Sequence, residues 1–302
     1  MSARHIRALT ITIIAALLPL GACTTNPAAP DSGAAAVDPA DIDQFHALEG
    51  RLNGRIGVYA LDTGSGRSVG YRADERFAYA STFKALAAGV WLSIHPASDL
   101  DRRRTVTRAD LVANSPVTSA HVDQDMTMRE ILSAAINVSD NTAGNLIFSE
   151  IGGPAGLQQH LRRIGDATTH ADRTETALNT AIPGDDRDTT TPRTFATDLR
   201  HFTLDPTVPA ATRTTLTDML KATTTGGALV RAALPPNWQA GDKTGAGDYG
   251  TRNDIAVLWP PNRAPILIAV MSVRDRPDAP YDNPAVARAA SLALTALDRT
   301  SR

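Results

Sequence analysis

The sequence predicts a mixed α/β fold of the α+β kind: one antiparallel sheet flanked by terminal helices, plus an all-helical domain. Three observations predict it. Strand-like apolar runs occur only towards the two ends, at 55–61, 68–72, 238–246, 252–259 and 265–273. Helical periodicity fills the stretch between them. The late strands are joined by short turns containing Gly, Asp, Asn and Pro, whereas a parallel crossover needs about a dozen residues or more. The sheet therefore draws on residues 41–76 and 222–302, and the helical domain on 77–221.

Residues 1–22 read as a signal peptide. Arg4, His5 and Arg7 precede a short apolar run, Ala8 to Leu20, that falls short of a membrane-spanning helix. The run ends in Leu20-Gly21-Ala22-Cys23, which resembles the bacterial lipoprotein box, whose cysteine is lipidated and becomes residue one. The alternative is an ordinary signal peptide cut near Ala22. Cys23 is the only cysteine of the chain, which favours lipidation. Residues 24–40, rich in Ala, Pro, Thr and Asp, read as a flexible tether. The expected product is exported and held on a membrane by its lipid, facing the periplasm or the cell exterior.

Ile42, Phe45, Leu48 and Leu52 recur at helical spacing, so the mature part opens on a helix. Strands 55–61 and 68–72 follow around the turn Asp62-Thr63-Gly64-Ser65-Gly66. Residues 82–92 are apolar nearly all round, the mark of a buried helix. Met128, Ile131, Leu132, Ala135 and Ile136 make one further helix; Ala143, Leu146, Ile147 and Ile151 make another. Helices at 154–164, 192–204 and 210–220 follow, two of them opening on proline, which loses nothing at a position whose N–H has no helical partner. The polar stretch 170–188 has no clear period; so long a loop in a compact domain is usually functional or disordered. A helix over 283–297 closes the chain.

Composition narrows the function. Of 302 residues, 42% are apolar and 21% charged, which is globular. The formal charge is −2 and no basic stretch carries interleaved aromatics, so nucleic acid is no expected partner. A lone cysteine excludes an internal disulfide, a CxxC pair and a thiolate zinc cluster. The seven histidines form no HExxH or other close pair, so neither a metal nor a cofactor is called for. A monomer acting on a small molecule is the expectation.

Of 30 lysines and arginines, only Lys84, Lys221 and Lys243 are lysine. A lysine kept in so arginine-rich a chain marks a position where a compact, deprotonatable cation is needed. Lys84 lies three residues after Ser81, on one face of one turn of the buried helix. Burial disfavours its charge, and an amine able to exchange protons beside a hydroxyl generates a nucleophile. Ser81 alone would be an ordinary helix cap. Ser139-Asp140-Asn141 falls between two helices, where it also reads as a cap; its functional reading gives Ser139 a proton-transfer role and turns the Asn141 amide into the cleft. Lys243-Thr244-Gly245 lies on a late strand: a second cation near Lys84 depresses its pKa, and Gly245 permits close backbone approach. Lys221 belongs to no motif.

Taken together, these motifs resemble the class A serine β-lactamases over residues 41 to 298, a β-lactamase/DD-peptidase-like fold. The resemblance implies Ser81 as nucleophile, Lys84 or Glu175 as acylation base, Ser139 as proton shuttle, and the backbone of Ser81 and Ala246 as oxyanion hole. It implies that Glu175 and Asn179, in the segment Arg173-Thr174-Glu175-Thr176-Ala177-Leu178-Asn179, hold the water that releases the acyl group. Arg173 and Asp188 are expected to clamp the loop, and Asn114, Asn141, Lys243, Thr244, Gly245 and Arg252 to bind a β-lactam. Penicillin-binding DD-peptidases share the three motifs without this loop and are the alternative; a non-enzymatic wall-binding module comes third. Three positions depart from the family: Thr176 replaces a proline whose bond is often cis, Asn114 replaces a frequent aromatic, and Ala246 lacks a hydroxyl. Neither Ala80 nor Gly247 is cysteine, so the disulfide of some relatives cannot form. Gly66-Arg67-Ser68-Val69-Gly70 matches a GxSxG elbow, but no helix follows and it reads as hairpin strand. His121 reads as a packing or surface residue.

Overall fold

The computed structural model describes residues 39–299. The expected leader, tether and Cys23 lie outside them. In chain order the elements are α1 (Pro39–Leu52), β1 (Gly54–Asp62), β2 (Ser68–Tyr71), β3 (Phe77–Ala78), α2 (Phe83–Ile94), β4 (Arg103–Val106), β5 (Gln124–Thr127), α3 (Met128–Asn137) and α4 (Asn141–Glu150). There follow α5 (Gly153–Arg163), β6 (Thr189–Thr190), α6 (Pro192–Leu204), α7 (Ala210–Lys221), β7 (Gln239–Ala246), β8 (Arg252–Trp259), β9 (Ile266–Arg274) and α8 (Asn283–Arg299). Among the described residues no helix is long and apolar enough to cross a membrane.

Five strands form one antiparallel sheet in the order β2-β1-β9-β8-β7. The first two strands thus pair with the last three, as the sequence predicts. Both faces are buried, and the period of two explains why the strands read as nearly continuous apolar runs. Ala256 and Leu258 point to the cluster of Phe45, Leu52, Val286 and Ala290 from the terminal helices. Ile255 and Val257 point to the opposite cluster, with Phe83, Trp91, Ile131 and Phe195 from the inner helices.

Helix α2 is the centre of that second cluster, buried from Phe83 to Leu92. Its neighbours come close: a Cβ on Gly89 would lie 2.5 Å from the Phe202 ring. The ends of the inner helices are local chemistry. Thr127 and Glu130 form a capping box for α3, and Thr191 caps α6 just before Pro192. The predicted boundaries fall within a few residues of these elements. Absent from the sequence reading are the ladders β3–β6 and β4–β5. Lys221, left without a role by the motifs, places Nζ 4.4 Å from the Trp259 ring centroid and so packs against the end of β8.

Candidate active site

Ser81 sits on a single 3-10 turn, Ala80–Thr82, that leads into α2. Ala80 takes a left-handed φ of 46° there. The turn is held by its surroundings: Asn253 Nδ2 on β8 donates to the carbonyls of Ala78 and Tyr79 at 2.8 and 3.1 Å, and Thr82 Oγ1 donates to Tyr79 O. Strand β7 presses on it as well, since a Cβ at Gly245 would lie 2.9 Å from Tyr79 O. That is the physical need for glycine in Lys243-Thr244-Gly245.

Lys84, one turn on and fully buried, donates to Ser81 Oγ at 2.9 Å, Ser139 O at 2.9 Å and Asn141 Oδ1 at 2.6 Å. Its Nζ also lies 2.9 Å from Glu175 Oε1. Burial lowers the Lys84 pKa, opposed by the charge of Glu175. Space for the side chain comes from Gly144 on α4, where a Cβ would meet Lys84 Cε at 2.7 Å.

The bend between α3 and α4 turns Ser139 inward with φ 62°. Asp140, fully buried, caps α4 through Ala143 N and accepts from Val117 N, Thr118 N and Thr118 Oγ1 at 2.8–2.9 Å. Asp140 thus caps α4 as the sequence predicts, while its neighbours Ser139 and Asn141 face the cleft. Asn141 Nδ2 donates to Ala113 O. From the opposite side, Lys243 donates to Ser139 Oγ at 2.9 Å and to Thr244 O at 2.7 Å. Burial pushes Lys243 well below the usual lysine range, and the nearby Lys84 charge pushes it further.

The loop 170–188 closes the floor. Glu175, buried, accepts from Ser81 Oγ at 2.9 Å on Oε1 and from Asn179 Nδ2 at 2.5 Å on Oε2. The Glu175–Thr176 peptide bond is cis. Asn145 on α4 fixes the backbone of Glu175 from both sides, accepting from its N–H and donating to its carbonyl at 2.9 Å. Asp188 Oδ1 accepts from the N–H groups of Asp172 and Arg173 at 2.9 Å, and Oδ2 accepts from Arg173 Nε at 2.5 Å. Tyr79 OH donates to the same carboxylate at 3.1 Å, which ties the loop clamp to the serine turn. Asp248 N donates to Asn179 O, joining the loop to the end of β7.

A cavity of about 710 Å³ opens above Ser81. Asn114, Ser139, Asn141, Asn179, Thr244, Gly245, Ala246 and Arg252 all line it, so the structure brings together the predicted substrate side. Thr244 Oγ1 bonds Thr225 Oγ1 at 2.8 Å, and Arg252 donates to Asn283 Oδ1 at 2.8 Å. His121 lies apart, beside the backbone carbonyl of Val117. Among the described residues no group of three or more His, Cys, Asp or Glu is placed to hold a metal. Tyr79, Asn145, Thr225 and Asn253 escaped the sequence reading. Only Asn145 carried a usable signal there, four residues after Asn141 and hence on the same helix face.

Comparison with known proteins agrees with this geometry. A sequence model of the Beta-lactamase enzyme family matches residues 42–299. A β-lactamase of Amycolatopsis lactamdurans is 52% identical over 269 residues, 89% of either chain. One of Bacillus subtilis is 50% identical over 254 residues, 84% of this chain and 83% of its own. Among solved structures, a halotolerant bacterial β-lactamase superposes with a TM-score of 0.83 at 49% identity, covering 84% of this chain and 98% of its own. A class A β-lactamase from Clostridium kluyveri gives 0.85 at 42%, covering 86% and 100%. The chain belongs to the β-lactamase enzyme family and has the class A fold.

Proposed function

We propose that this protein hydrolyses the amide bond of penicillins and cephalosporins through a Ser81 acyl-enzyme, and so confers resistance to them. Ser81 Oγ attacks the lactam carbonyl carbon. Its proton passes to Lys84 Nζ or Glu175 Oε1, each 2.9 Å from an atom of the hydrogen-bonded triad. The backbone N–H groups of Ser81 and Ala246 stabilise the oxyanion. As the C–N bond breaks, Ser139 Oγ delivers its proton to the lactam nitrogen and takes up the proton removed from Ser81, relayed through Lys84, so that the base is free again; Lys243 stabilises that hydroxyl at 2.9 Å. Thr244 and Arg252 face the substrate carboxylate, Arg252 with a planar fork suited to it. Asn114 and Asn141 line the acyl side, and Gly245 lets the backbone approach. A water held by Glu175 and Asn179 then gives a proton to Glu175 and attacks the ester carbonyl; as the C–O bond to Ser81 breaks, Glu175 returns that proton to Ser81 Oγ, which leaves a product acid and free Ser81.

The observation that carries this reading is Glu175 beside the nucleophile, its second oxygen held by Asn179. A DD-peptidase without such a carboxylate stays acylated. Mass spectrometry with benzylpenicillin is the test. Wild type is expected to acylate transiently, whereas Glu175→Ala accumulates an adduct on Ser81. A wild type that stops after one equivalent belongs to wall synthesis instead, and equal clearance in both removes Glu175 from the deacylation step.

Export is part of the same reading, supported by the leader and by Cys23 in its lipoprotein-like box. Detergent-free fractionation checks the anchor. Cys23→Ser is expected to move the activity from membrane to soluble fraction, and an unchanged distribution removes the lipid. We hold the active unit to be a monomer, its cleft lying between a discontinuous sheet domain (41–76 and 222–302) and a helical domain (77–221).

A further inference from the structure

Arginines in this protein that are partly withdrawn from water are commonly held by a carboxylate: Arg72 by Glu49, Arg173 by Asp188, Arg231 by Asp242. Arg252 is different. It lines the cavity above Ser81, and among the described residues no carboxylate stands within ion-pair distance of it. Three uncharged groups hold it. Asn283 Oδ1 accepts from Nε at 2.8 Å, Gly245 O accepts from Nη1 at 3.4 Å, and the Tyr281 ring lies with its centroid 4.8 Å from Cζ. Two of the three come from one short segment entering α8.

The chemistry of the holders matters. A carboxylate would neutralise the guanidinium and occupy the donors that an anionic substrate requires. An amide oxygen, a carbonyl and an aromatic face orient the planar fork and leave its charge available. Tyr281 is otherwise an anomaly. It is 54% exposed, one of three large apolar side chains so exposed among the described residues, and belongs to neither core cluster.

We infer that Tyr281 is a positioning residue of the substrate site: its ring face, with the Asn283 amide, fixes the Arg252 fork towards the substrate carboxylate. The inference rests on the carboxylate role given to Arg252 above. Tyr281 is not itself a wall of the cavity, so it acts on binding through Arg252 alone.

Steady-state hydrolysis of benzylpenicillin by Tyr281→Ala, Tyr281→Phe, Arg252→Ala and the Tyr281→Ala/Arg252→Ala double variant tests it, with melting temperatures confirming that each folds. Tyr281→Ala is expected to raise KM about two- to five-fold, the worth of an exposed cation–π contact, with a much smaller change in kcat. Tyr281→Phe keeps the ring face and the wild-type KM. In the Arg252→Ala background, removing the ring adds nothing. A wild-type KM in Tyr281→Ala, an unrescued Tyr281→Phe, or an equal increment without Arg252 overturns the inference. A wild-type KM in Arg252→Ala overturns instead the carboxylate role on which it rests.

Discussion

Lys84 shows what a single residue must do here. From a fully buried position its ammonium lies within hydrogen-bond distance of Ser81 Oγ, Ser139 O and Asn141 Oδ1, and of Glu175 Oε1 at 2.9 Å. Arginine has the charge but neither the compact geometry nor the ability to release a proton. Lys84→Arg is therefore expected to slow acylation by about 10²–10⁴, the usual worth of a positioned proton acceptor. Stopped-flow mixing with a chromogenic cephalosporin measures that step. Near-wild-type acylation would reduce Lys84 to a fixed positive charge. The scarcity of lysine made this residue and Lys243 visible in the sequence, and it overreached at Lys221, which belongs to no motif and whose ammonium packs on Trp259. Rarity locates candidates; only the neighbours say what a cation is for. Those neighbours were less legible, because Tyr79 and Asn253 act through contacts across more than a hundred residues of chain.

At the scale of elements, the loop 170–188 depends on Asp188 more than on its own periodicity. That buried carboxylate accepts from two backbone N–H groups, from Arg173 and from Tyr79. Asp188→Ala strands all of these donors, and breaking such a pair by removing one partner costs about 3–5 kcal/mol. The variant is expected to melt at a clearly lower temperature and to accumulate acyl-enzyme, since Glu175 is held by the loop and Ser81 by α2. Calorimetry and mass spectrometry read the two effects; an unchanged melting point with normal clearance would mean the loop is fixed from elsewhere, through Asn145 and Asp248. The helices and main strands were legible because proline starts, caps and apolar periods are local signals. The ladders β3–β6 and β4–β5 were not. Each is short, and Phe77 meets Thr190 only because the whole loop has folded back between them.

For the whole molecule, pH acts on buried carboxyl groups of two kinds. Glu49 is the first kind: burial pushes its pKa up, but hydrogen bonds from Arg72, Ile56 and Tyr71 prevail and hold it low. Its contribution to stability is present above the unfolded carboxylate pKa and lost as acid protonates it. Asp198 on α6 is the second kind. Burial and then the adjacent Asp166 push it well above the usual range, and Asp198 Oδ2 and Asp166 Oδ2 are buried without another hydrogen-bond partner. Asp198 thus binds a proton more tightly in the native state than in the unfolded chain. Stability from Asp198 is therefore complete below the unfolded pKa of about 4 and declines as pH rises towards the raised native value. The pair sits where α5 gives way to the Glu175 loop, with Asp166 Oδ1 accepting from Thr168 N and Thr169 N. In Asp198→Asn the amide N–H replaces the carboxyl proton and does not titrate. Melting temperatures of the variant and wild type should converge near pH 4 and separate in alkali, the variant being the more stable at pH 9. Parallel curves across that range would mean that the Asp198 carboxyl is not raised in the folded protein.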